Sequence, residues 1–299
     1  MIRLVSCIAL AICFPAAASD TPPPTMASVL EAATAADWRK PDPDNTLYLE
    51  LASGRVVIEL APDFAPRHVA NLKALARAKY FDSLAIVRVQ ENYVVQWADP
   101  NAGDIDKRKS TGELPRTLPA EFAREIKAAP GFTALPDGDV YAPEVGFMLG
   151  FPAARDPKIG KTWLAHCYGM VGAGRDNAAD SGGGTELYVV IGHAPRHLDR
   201  NVTLVGRVLA GMQRLTTLPR GSGAMGFHEQ PEDNVAIRAI RLAADVPVAE
   251  RSALEVLRTD TATFAQLIQA RRTRSEAWFI EPTGKIELCN VPLPVRGAP

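Results

Sequence analysis

The sequence has almost no net charge, since 33 Lys and Arg stand against 34 Asp and Glu to give a formal value of −1. A protein that binds nucleic acid or an anionic membrane through its overall field carries a marked excess of positive charge. We therefore expect no nucleic-acid partner. With 47% hydrophobic and 22% charged residues the composition is that of an ordinary globular protein, and 299 residues allow one large or two ordinary domains.

Signatures of metal and nucleophile chemistry are also missing. Among the five histidines only His193 and His197 stand four residues apart, and Pro195 between them predicts a turn rather than a ligand-bearing helix. The three glycines at 182–184 lack the Lys-Ser/Thr that completes a phosphate-binding loop. Ser181 lacks the Gly-x-Ser-x-Gly elbow of many hydrolases. The sequence therefore predicts no metal site and no cofactor.

No apolar run near the N-terminus is long enough to span a bilayer. Residues 4–14 are apolar, they follow the basic Arg3, and small residues follow them at 16–18. This order is typical of a secretory signal peptide, and the run is shorter than a membrane span requires. We expect a signal peptide over residues 1–19, cleavage near Ala18 or Ser19, and a periplasmic or secreted mature protein without stable membrane insertion.

Cysteine is scarce, with four residues in the chain, and the predicted cleavage removes two of them. Cys167 and Cys289 remain. In an oxidising compartment these two residues can form a disulfide that ties the C-terminal tail to the main domain. The alternative is a pair of independent buried thiols, because free cysteine packs as a small hydrophobic residue. The sequence favours neither.

An alternation of apolar and polar residues begins after a Pro-rich leader. The composition of residues 20–44 predicts a flexible segment rather than a packed element. An amphipathic helix is then predicted from Pro66 to about Lys79. The predicted strands are residues 47–51, 56–60, 84–89, 93–98, 167–173, 187–191, 203–209 and 235–242. Eight short strands with few helices between them favour an antiparallel barrel or sandwich.

Two further segments interrupt or extend this β-rich region. Residues 101–166 are rich in Pro, Gly and charged side chains, which predicts a long loop that is functional or partly disordered. In residues 249–257 and 261–271 the apolar side chains have helical spacing, which predicts two helices. The proline-containing residues 280–293 are predicted to form an extended C-terminal segment. We therefore predict one domain over residues 45–244, with an insertion at about 101–166, and a helical C-terminal extension over 245–299.

Residues 80–100 carry the most specific pattern, with Arg88 on a predicted strand and Tyr93, Val94 and Gln96 at fixed distances after it. This window resembles the signature of the cyclophilin-type peptidyl-prolyl cis/trans isomerases, in which Phe-His-Arg precedes aromatic-Met-x-Gln-Gly-Gly-Asp. Further segments resemble cyclophilin elements in the same order along the chain. They are Ala65-Pro66-Arg67-His68-Val69-Ala70-Asn71-Leu72, Leu118-Pro119-Ala120-Glu121-Phe122, Gly184-Thr185-Glu186-Leu187-Tyr188-Val189, Leu198-Asp199 and Val205-Gly206-Arg207-Val208.

The resemblance extends from about residue 45 to residue 242 and implies the fold. It implies a closed eight-stranded antiparallel β-barrel with two capping helices, one starting at Pro66 and one near residues 211–218. The implied partners are proline-containing polypeptides. We expect a monomer that lowers the barrier to rotation about X–Pro bonds, which is roughly 18–20 kcal/mol without a catalyst.

Catalysis of this rotation needs no nucleophile. Rotation localises the lone pair on the proline nitrogen, so an apolar slot and one fixed hydrogen-bond donor are sufficient. By resemblance, Arg88 is that donor and Gln96 holds the carbonyl side of the substrate. The residues that the resemblance assigns to substrate binding are Tyr93, Val94, Gly174, Arg175, Glu186, Tyr188, His197, Leu198 and Val202.

Several positions depart from the family pattern and leave two functions open. The departures are Ile86-Val87 for Phe-His, Val94 for Met, Trp97-Ala98 for Gly-Gly, Glu186 for Gln, His197 for Trp and Val202 for His. The first function is an isomerase, of full or reduced activity, that acts on exported proteins. The second is a cyclophilin-like module that binds proline-containing segments with little or no turnover. A third hypothesis assigns the insertion and the extension to an interface with an envelope partner.

Overall fold

A computed structural model of the chain describes residues 23–126 and 131–298. The predicted signal peptide lies outside the described residues. The α-helices of the described part are α1 (Met26–Glu31), α2 (Pro66–Arg77), α3 (Gln213–Thr216) and α4 (Ala262–Thr273). Its strands are β1 (Trp38–Arg39), β2 (Thr46–Leu51), β3 (Gly54–Leu60), β4 (Ala85–Val89), β5 (Val94–Ala98), β6 (Arg124–Glu125), β7 (Phe132–Ala134), β8 (Glu144–Met148), β9 (Phe151–Asp156), β10 (Lys161–Leu164), β11 (Met170–Ala173), β12 (Leu187–Val190), β13 (Leu204–Ala210), β14 (Val235–Leu242), β15 (Leu254–Leu257) and β16 (Val295–Gly297).

Eight strands close into an antiparallel barrel in the order β11-β12-β5-β4-β14-β2-β3-β13. They correspond to the eight strands that the alternation of apolar residues predicts, so the predicted fold class is confirmed. Side chains such as Leu49, Val56, Val95 and Trp97 fill the interior and are fully buried. Because a small barrel is filled in this way, a binding site has to lie on an outer face.

The helix α2 covers one end of the barrel. It begins at Pro66, whose fixed φ and missing N–H suit the first turn of a helix. Val69, Leu72 and Leu75 form its buried face and join the barrel core. The second capping helix, α3, is a single turn within the predicted segment. No helix in the described part of the chain combines the length and apolar character of a membrane span.

The prediction of a flexible leader over residues 20–44 is wrong from Met26 onward. The helix α1 begins after Thr25, whose side chain accepts a hydrogen bond from the N–H of Ser28, and it buries Val29. Trp38 then starts β1, which pairs with β15 in a three-stranded sheet with β16. Composition did not reveal this strand, because its partner lies near the other end of the chain.

The insertion is a long loop only over residues 101–123, so that prediction is wrong from Arg124 onward. From there it forms a five-stranded antiparallel sheet in the order β6-β10-β9-β8-β7. Leu149 and Gly150 connect β8 to β9 and both have positive φ, at 55° and 86°. Two central residues with positive φ make the turn that matches the twist of a tight hairpin. The prolines and charges that suggested a loop lie mostly between strands or at their ends.

The C-terminal extension is helical only in part. The helix predicted over residues 261–271 is α4, and its N-cap Thr261 accepts a hydrogen bond from the N–H of Phe264 at 3.2 Å. The helix predicted over residues 249–257 is wrong, because this segment contributes β15. Pairing with β1 on one side and β16 on the other outweighs the helical spacing of its apolar residues.

The insertion sheet, α1 and α4 share a second hydrophobic core beside the barrel. Phe147 and Trp163 from the sheet pack there with Phe264 from α4. At the edge of this core Cys167 and Cys289 are joined in a disulfide, with their Cα atoms 5.0 Å apart. Of the two alternatives that the sequence left open, the structure has the bonded one, which fastens the extension to the residues before β11.

Candidate active site

A groove of about 670 Å³ lies on the outer face of the barrel, over β4, β5 and β12. Ten of the eleven residues that the sequence assigns to catalysis or substrate binding line it. The lining residues are Arg88, Tyr93, Val94, Gln96, Gly174, Arg175, Asp176, Asn177, Glu186, Tyr188, Leu198, Val202, Met225 and Phe227. The structure therefore brings together residues that are up to 139 positions apart in the sequence.

A β-bulge turns Arg88 toward this groove. Ile86 pairs with Trp97 and Arg88 pairs with Gln96, so Val87 is an extra residue on β4. In a regular strand Ile86 and Arg88 would share a face, because side chains alternate with period two. The bulge leaves Ile86 fully buried in the barrel core and gives Arg88 a partly exposed position outside it. Bulges often re-aim a side chain next to an active site in this way.

Three acceptors hold the guanidinium of Arg88. Its Nε donates to the backbone oxygen of Met225 at 2.7 Å, and its Nη1 donates to Oε1 of Gln96 at 3.1 Å. Its Nη2 donates to the side-chain oxygen of Gln90. A guanidinium has five N–H groups, so two donors remain for a bound substrate. The side chain is thus fixed in place while it still has hydrogen-bonding capacity.

Aromatic rings complete the surroundings of this cation. The ring centroids of Tyr93 and Phe227 lie 5.5 Å and 5.3 Å from the guanidinium carbon of Arg88, within the range of cation–π attraction. Burial lowers the pKa of Arg88, and the nearby Tyr93 hydroxyl opposes that shift. A guanidinium remains charged in spite of such a shift. The loss of water around it strengthens the field that a substrate would feel.

Gln96 lies opposite Arg88 on β5 and is held in one orientation. Its Oε1 accepts from Arg88, and its Nε2 donates to Oε2 of Glu186 at 3.2 Å. An ionised carboxylate can only accept hydrogen bonds, so Glu186 requires the NH₂ side of the amide to face it. The carbonyl of Gln96 must then face Arg88, and one N–H of Gln96 remains for a substrate carbonyl.

Glu186 brings negative charge into the groove. Burial raises the pKa of its carboxyl group, the hydrogen bond from Gln96 opposes the rise, and the nearby Asp176 and Asp99 add to it. Within the described residues Glu186 takes part in no ion pair. The replacement of the family's glutamine therefore adds a carboxylate that is costly to ionise.

Tyr188 forms the wall of an apolar slot beside Arg88. It is buried together with Val94, and Tyr93 and Val202 pack against the pair. Its ring extends over Gly172, its partner on β11, where an added Cβ would lie 2.2 Å from Cζ of Tyr188. Glycine is therefore required at that position because the tyrosine ring occupies the space.

Arg175 fastens the segment that borders the groove after β11. Its Nε donates to the backbone oxygen of Asn201 at 2.7 Å, and its Nη1 donates to that of Asp176 at 2.6 Å. The neighbouring Gly174 donates its backbone N–H to the backbone oxygen of Glu186 at 2.9 Å. The edge of the groove at these two residues is thus a fixed backbone segment.

Some site residues differ from the sequence assignment. His197 does not line the groove. Its ring lies parallel to that of Tyr93, with 6.5 Å between the ring centroids. Met225 and Phe227 were missed, since they come from an irregular segment before β14. Their only sequence signal is an apolar cluster, Met225-Gly226-Phe227, within a polar stretch. Trp97, one of the departures from the family pattern, belongs to the barrel core rather than to the groove.

The arrangement is suited to catalysis by binding. It offers an apolar slot, a fixed cationic donor and an oriented amide, and these groups can stabilise a twisted X–Pro amide without forming a covalent bond. Burial of a proline ring in such a slot contributes about 1.5–3 kcal/mol. Among the described residues no three His, Cys, Asp or Glu side chains cluster as metal ligands would.

Known proteins resemble the chain over this same region. The family model described as cyclophilin type peptidyl-prolyl cis-trans isomerase/CLD matches residues 46–242. A probable peptidyl-prolyl cis-trans isomerase of Brucella suis biovar 1 (strain 1330) is 30% identical over 190 residues, which cover 61% of this chain and 76% of the relative. A protein of the same description from Brucella abortus (strain 2308) is 29% identical with the same coverage.

A solved structure shares the fold beyond the barrel. The crystal structure of cyclophilin AquaCyp293 from Hirschia baltica superimposes with a TM-score of 0.68 at 24% identity, and the match covers 92% of this chain and 98% of that one. The similarity in fold therefore includes much of the insertion and extension. The family match spans more than half of the chain and contains the groove with Arg88, so the chain belongs to the cyclophilin-type peptidyl-prolyl cis-trans isomerase family and is an enzyme of that class.

Proposed function

We propose that this isomerase acts on X–Pro bonds of exported proteins in the periplasm and thereby accelerates their folding. The observation that carries the proposal is the disulfide between Cys167 and Cys289. Disulfides persist in oxidising compartments and are rare in the reducing cytosol. The pattern of residues 1–19, which is typical of a signal peptide, supports the same location.

The groove supports a broad choice of polypeptide substrates. It is open, its apolar part is the slot formed by Tyr188 and Val94, and its polar part is the pair of Arg88 and Gln96. These features recognise a proline ring and the adjacent carbonyl groups, which every X–Pro segment presents. A catalyst of folding has to accept many such segments.

Location is tested by cell fractionation and intact-mass analysis of the untagged protein expressed from its full-length sequence. The proposal predicts a periplasmic protein that lacks about the first 18 or 19 residues, the length expected from the signal-peptide pattern. A cytoplasmic protein that keeps Met1 would overturn the export part. Substitution of Arg3 by glutamate serves as the control, because it removes the basic residue of the signal and should reduce export.

The folding role is tested with an exported protein whose refolding is limited by proline isomerisation. Catalytic amounts of the wild-type enzyme should shorten the slow phase, and Arg88→Ala should leave that phase close to its uncatalysed rate. If the wild-type enzyme accelerates exchange in short peptides but not this slow phase, the role in protein folding is wrong although the activity stands.

The alternative of a module that binds without turnover loses part of its support. Val87, Trp97 and Val202 are the departures from the family pattern that motivate it, and of these three only Val202 lines the groove. Trp97 packs inside the barrel and Val87 is the extra residue of the bulge, whereas the departures Val94 and Glu186 do line the groove. Arg88 and its hydrogen-bond partner Gln96 both line the groove, which favours turnover over binding alone.

A further inference from the structure

A row of buried polar side chains lies behind the apolar slot and takes no part in the chemistry described above. It starts at His166, which is fully buried. Its Nδ1 lies 2.9 Å from Oδ1 of Asp199, and its Nε2 lies 2.9 Å from the hydroxyl of Tyr188. The backbone N–H of His166 also donates to Oδ1 of Asp199 at 2.9 Å. The ring therefore connects the wall of the slot to a buried carboxylate.

The chemistry of these partners determines where the hydrogens lie. The carboxylate of Asp199 can only accept, so Nδ1 of His166 carries a hydrogen and donates it. Burial lowers the pKa of His166, although Asp199 opposes this shift, and a neutral ring leaves Nε2 as an acceptor. Burial raises the pKa of Tyr188, which keeps its hydroxyl protonated and able to donate to Nε2. The ring planes of His166 and Tyr188 are inclined by only 11°, an orientation that suits the in-plane lone pair of Nε2 as an acceptor for the tyrosine hydroxyl.

The row continues from Asp199 into the insertion. The Nε of Arg196 donates to Oδ2 of Asp199 at 2.6 Å. The Nη1 and Nη2 of Arg196 donate to the two carboxylate oxygens of Asp139 at 2.9 Å and 3.0 Å. The side chains of Arg196 and Asp139 are only 2% and 4% exposed. Asp139 lies between β7 and β8, so the row links the slot to the insertion sheet.

A tyrosine at the slot wall needs such support. Its hydroxyl is buried, and a buried polar group without a partner costs more free energy than a normal hydrogen bond gains. Gly172 leaves room for the ring, and the hydrogen bond to His166 fixes the far end of the ring in that space. The position of the ring therefore depends on residues that never touch a substrate.

We propose that His166 is a positioning residue of this isomerase, which holds the ring of Tyr188 against the proline slot. The insertion supports His166 through Asp199, Arg196 and Asp139. The proposal rests on the groove as the site of peptide binding. It does not depend on export or on a role in protein folding, which the experiments described above test separately.

The test measures the dissociation constant of a short X–Pro peptide by NMR titration, and the exchange rate at saturation, for a set of single variants. His166→Asn keeps a donor for Asp199 but removes the acceptor at the Nε2 position, whereas His166→Gln places an amide at that position. Tyr188→Phe removes the hydroxyl. Tyr168→Phe is the matched control, because Tyr168 is half exposed and lies outside the groove. Thermal melting checks that each variant is folded.

His166→Asn and Tyr188→Phe should each weaken peptide binding by about two- to tenfold, the range that one neutral hydrogen bond spans. The exchange rate at saturation should stay within about twofold of the wild-type value, because Arg88 remains in place. His166→Gln should recover part of the affinity, and Tyr168→Phe should bind as the wild type does. In a Tyr188→Phe background, His166→Asn should have no further effect on binding.

Two results would overturn the proposal. In the first, His166→Asn weakens binding equally in the presence and absence of the Tyr188 hydroxyl, which would mean that His166 acts on the fold in general. In the second, Tyr188→Phe and Tyr168→Phe bind the peptide equally well. The second comparison does not involve a change at His166, so it decides the question even where His166→Asn does not fold.

Discussion

Replacement of Gly172 by alanine should force the ring of Tyr188 out of the proline slot. A Cβ at this position would lie 2.2 Å from Cζ and 2.3 Å from the hydroxyl oxygen of Tyr188, whereas ordinary contacts begin at 3.4 Å. The ring of Tyr188 is enclosed by its neighbours. If it does not leave the slot, β11 has to move away from β12 instead. Relief of the overlap requires a shift of roughly 1 Å, far beyond what a close-packed interior absorbs without cost.

The expected magnitude follows from this overlap. Overpacking by one methyl group typically costs about 1–3 kcal/mol of unfolding free energy, and loss of the hydrogen bond to His166 adds about 1 kcal/mol. Proline burial in the slot contributes about 1.5–3 kcal/mol, so a slot of the wrong shape should weaken peptide binding by about 10- to 100-fold.

Chemical denaturation and NMR titration with an X–Pro peptide measure the two effects. Gly103→Ala is the control, because its added Cβ would have no atom within 4 Å. Gly172→Ala combined with Tyr188→Leu should recover most of the lost stability, since leucine lacks the overlapping Cζ and hydroxyl atoms. Wild-type affinity and stability in the Gly172→Ala variant would refute the placement of the ring.

Three further results are expected. Asp139→Ala removes one of the three carboxylates that pair with the buried Arg196, the others being Asp199 and Glu287, and should lower the unfolding free energy by about 3 kcal/mol. The exposed control Asp63→Ala should cost less than about 1 kcal/mol, and equal losses in denaturation would contradict the buried pair. Cys289→Ser should cost about 2–4 kcal/mol in denaturation without reductant, and two alkylatable thiols in the untreated wild-type protein would rule out the disulfide. The raised pKa of Glu186 means that the folded state binds its proton more tightly than the unfolded state, so stability falls as the pH rises from the ordinary glutamate pKa through the raised one. Glu186→Gln should therefore be more stable than the wild type at pH 8, with a smaller difference at pH 5; a difference that does not change with pH would contradict this explanation.

The barrel could be predicted from sequence because each strand carries its own signal. In residues 47–51 and 56–60, for example, every second side chain belongs to the barrel core, whatever strands they pair with. The insertion and leader could not be predicted in this way. Trp38 and Arg39 form a strand only because β15 is beside them, and a two-residue element has no period of its own.

The candidate site is likewise only partly predictable from the sequence. Arg88, Tyr93 and Gln96 lie within nine residues, so a local motif was sufficient to find them. Phe227 reaches Arg88 because the N–H of His228 donates to the backbone oxygen of Val87. The irregular sequence around Phe227 does not indicate this pairing.

His166 illustrates a second limit of the sequence. Its hydrogen-bond partners Tyr188 and Asp199 lie 22 and 33 residues further along the chain. In the sequence it is therefore one histidine among five, without a recognisable spacing to either partner. Only the packing of three separate segments behind the slot gives it a role.

We infer that Arg88 stabilises the twisted X–Pro amide in this groove. NMR exchange spectroscopy on an X–Pro peptide measures the cis/trans rate directly in the presence of wild-type enzyme, Arg88→Ala and the control Arg77→Ala, which removes an exposed arginine paired with Asp245. Loss of one fixed donor to a developing charge typically lowers turnover by about 100- to 1,000-fold. We expect a loss of that size for Arg88→Ala and wild-type exchange for Arg77→Ala, whereas equal rates for the wild type and Arg88→Ala would contradict the account.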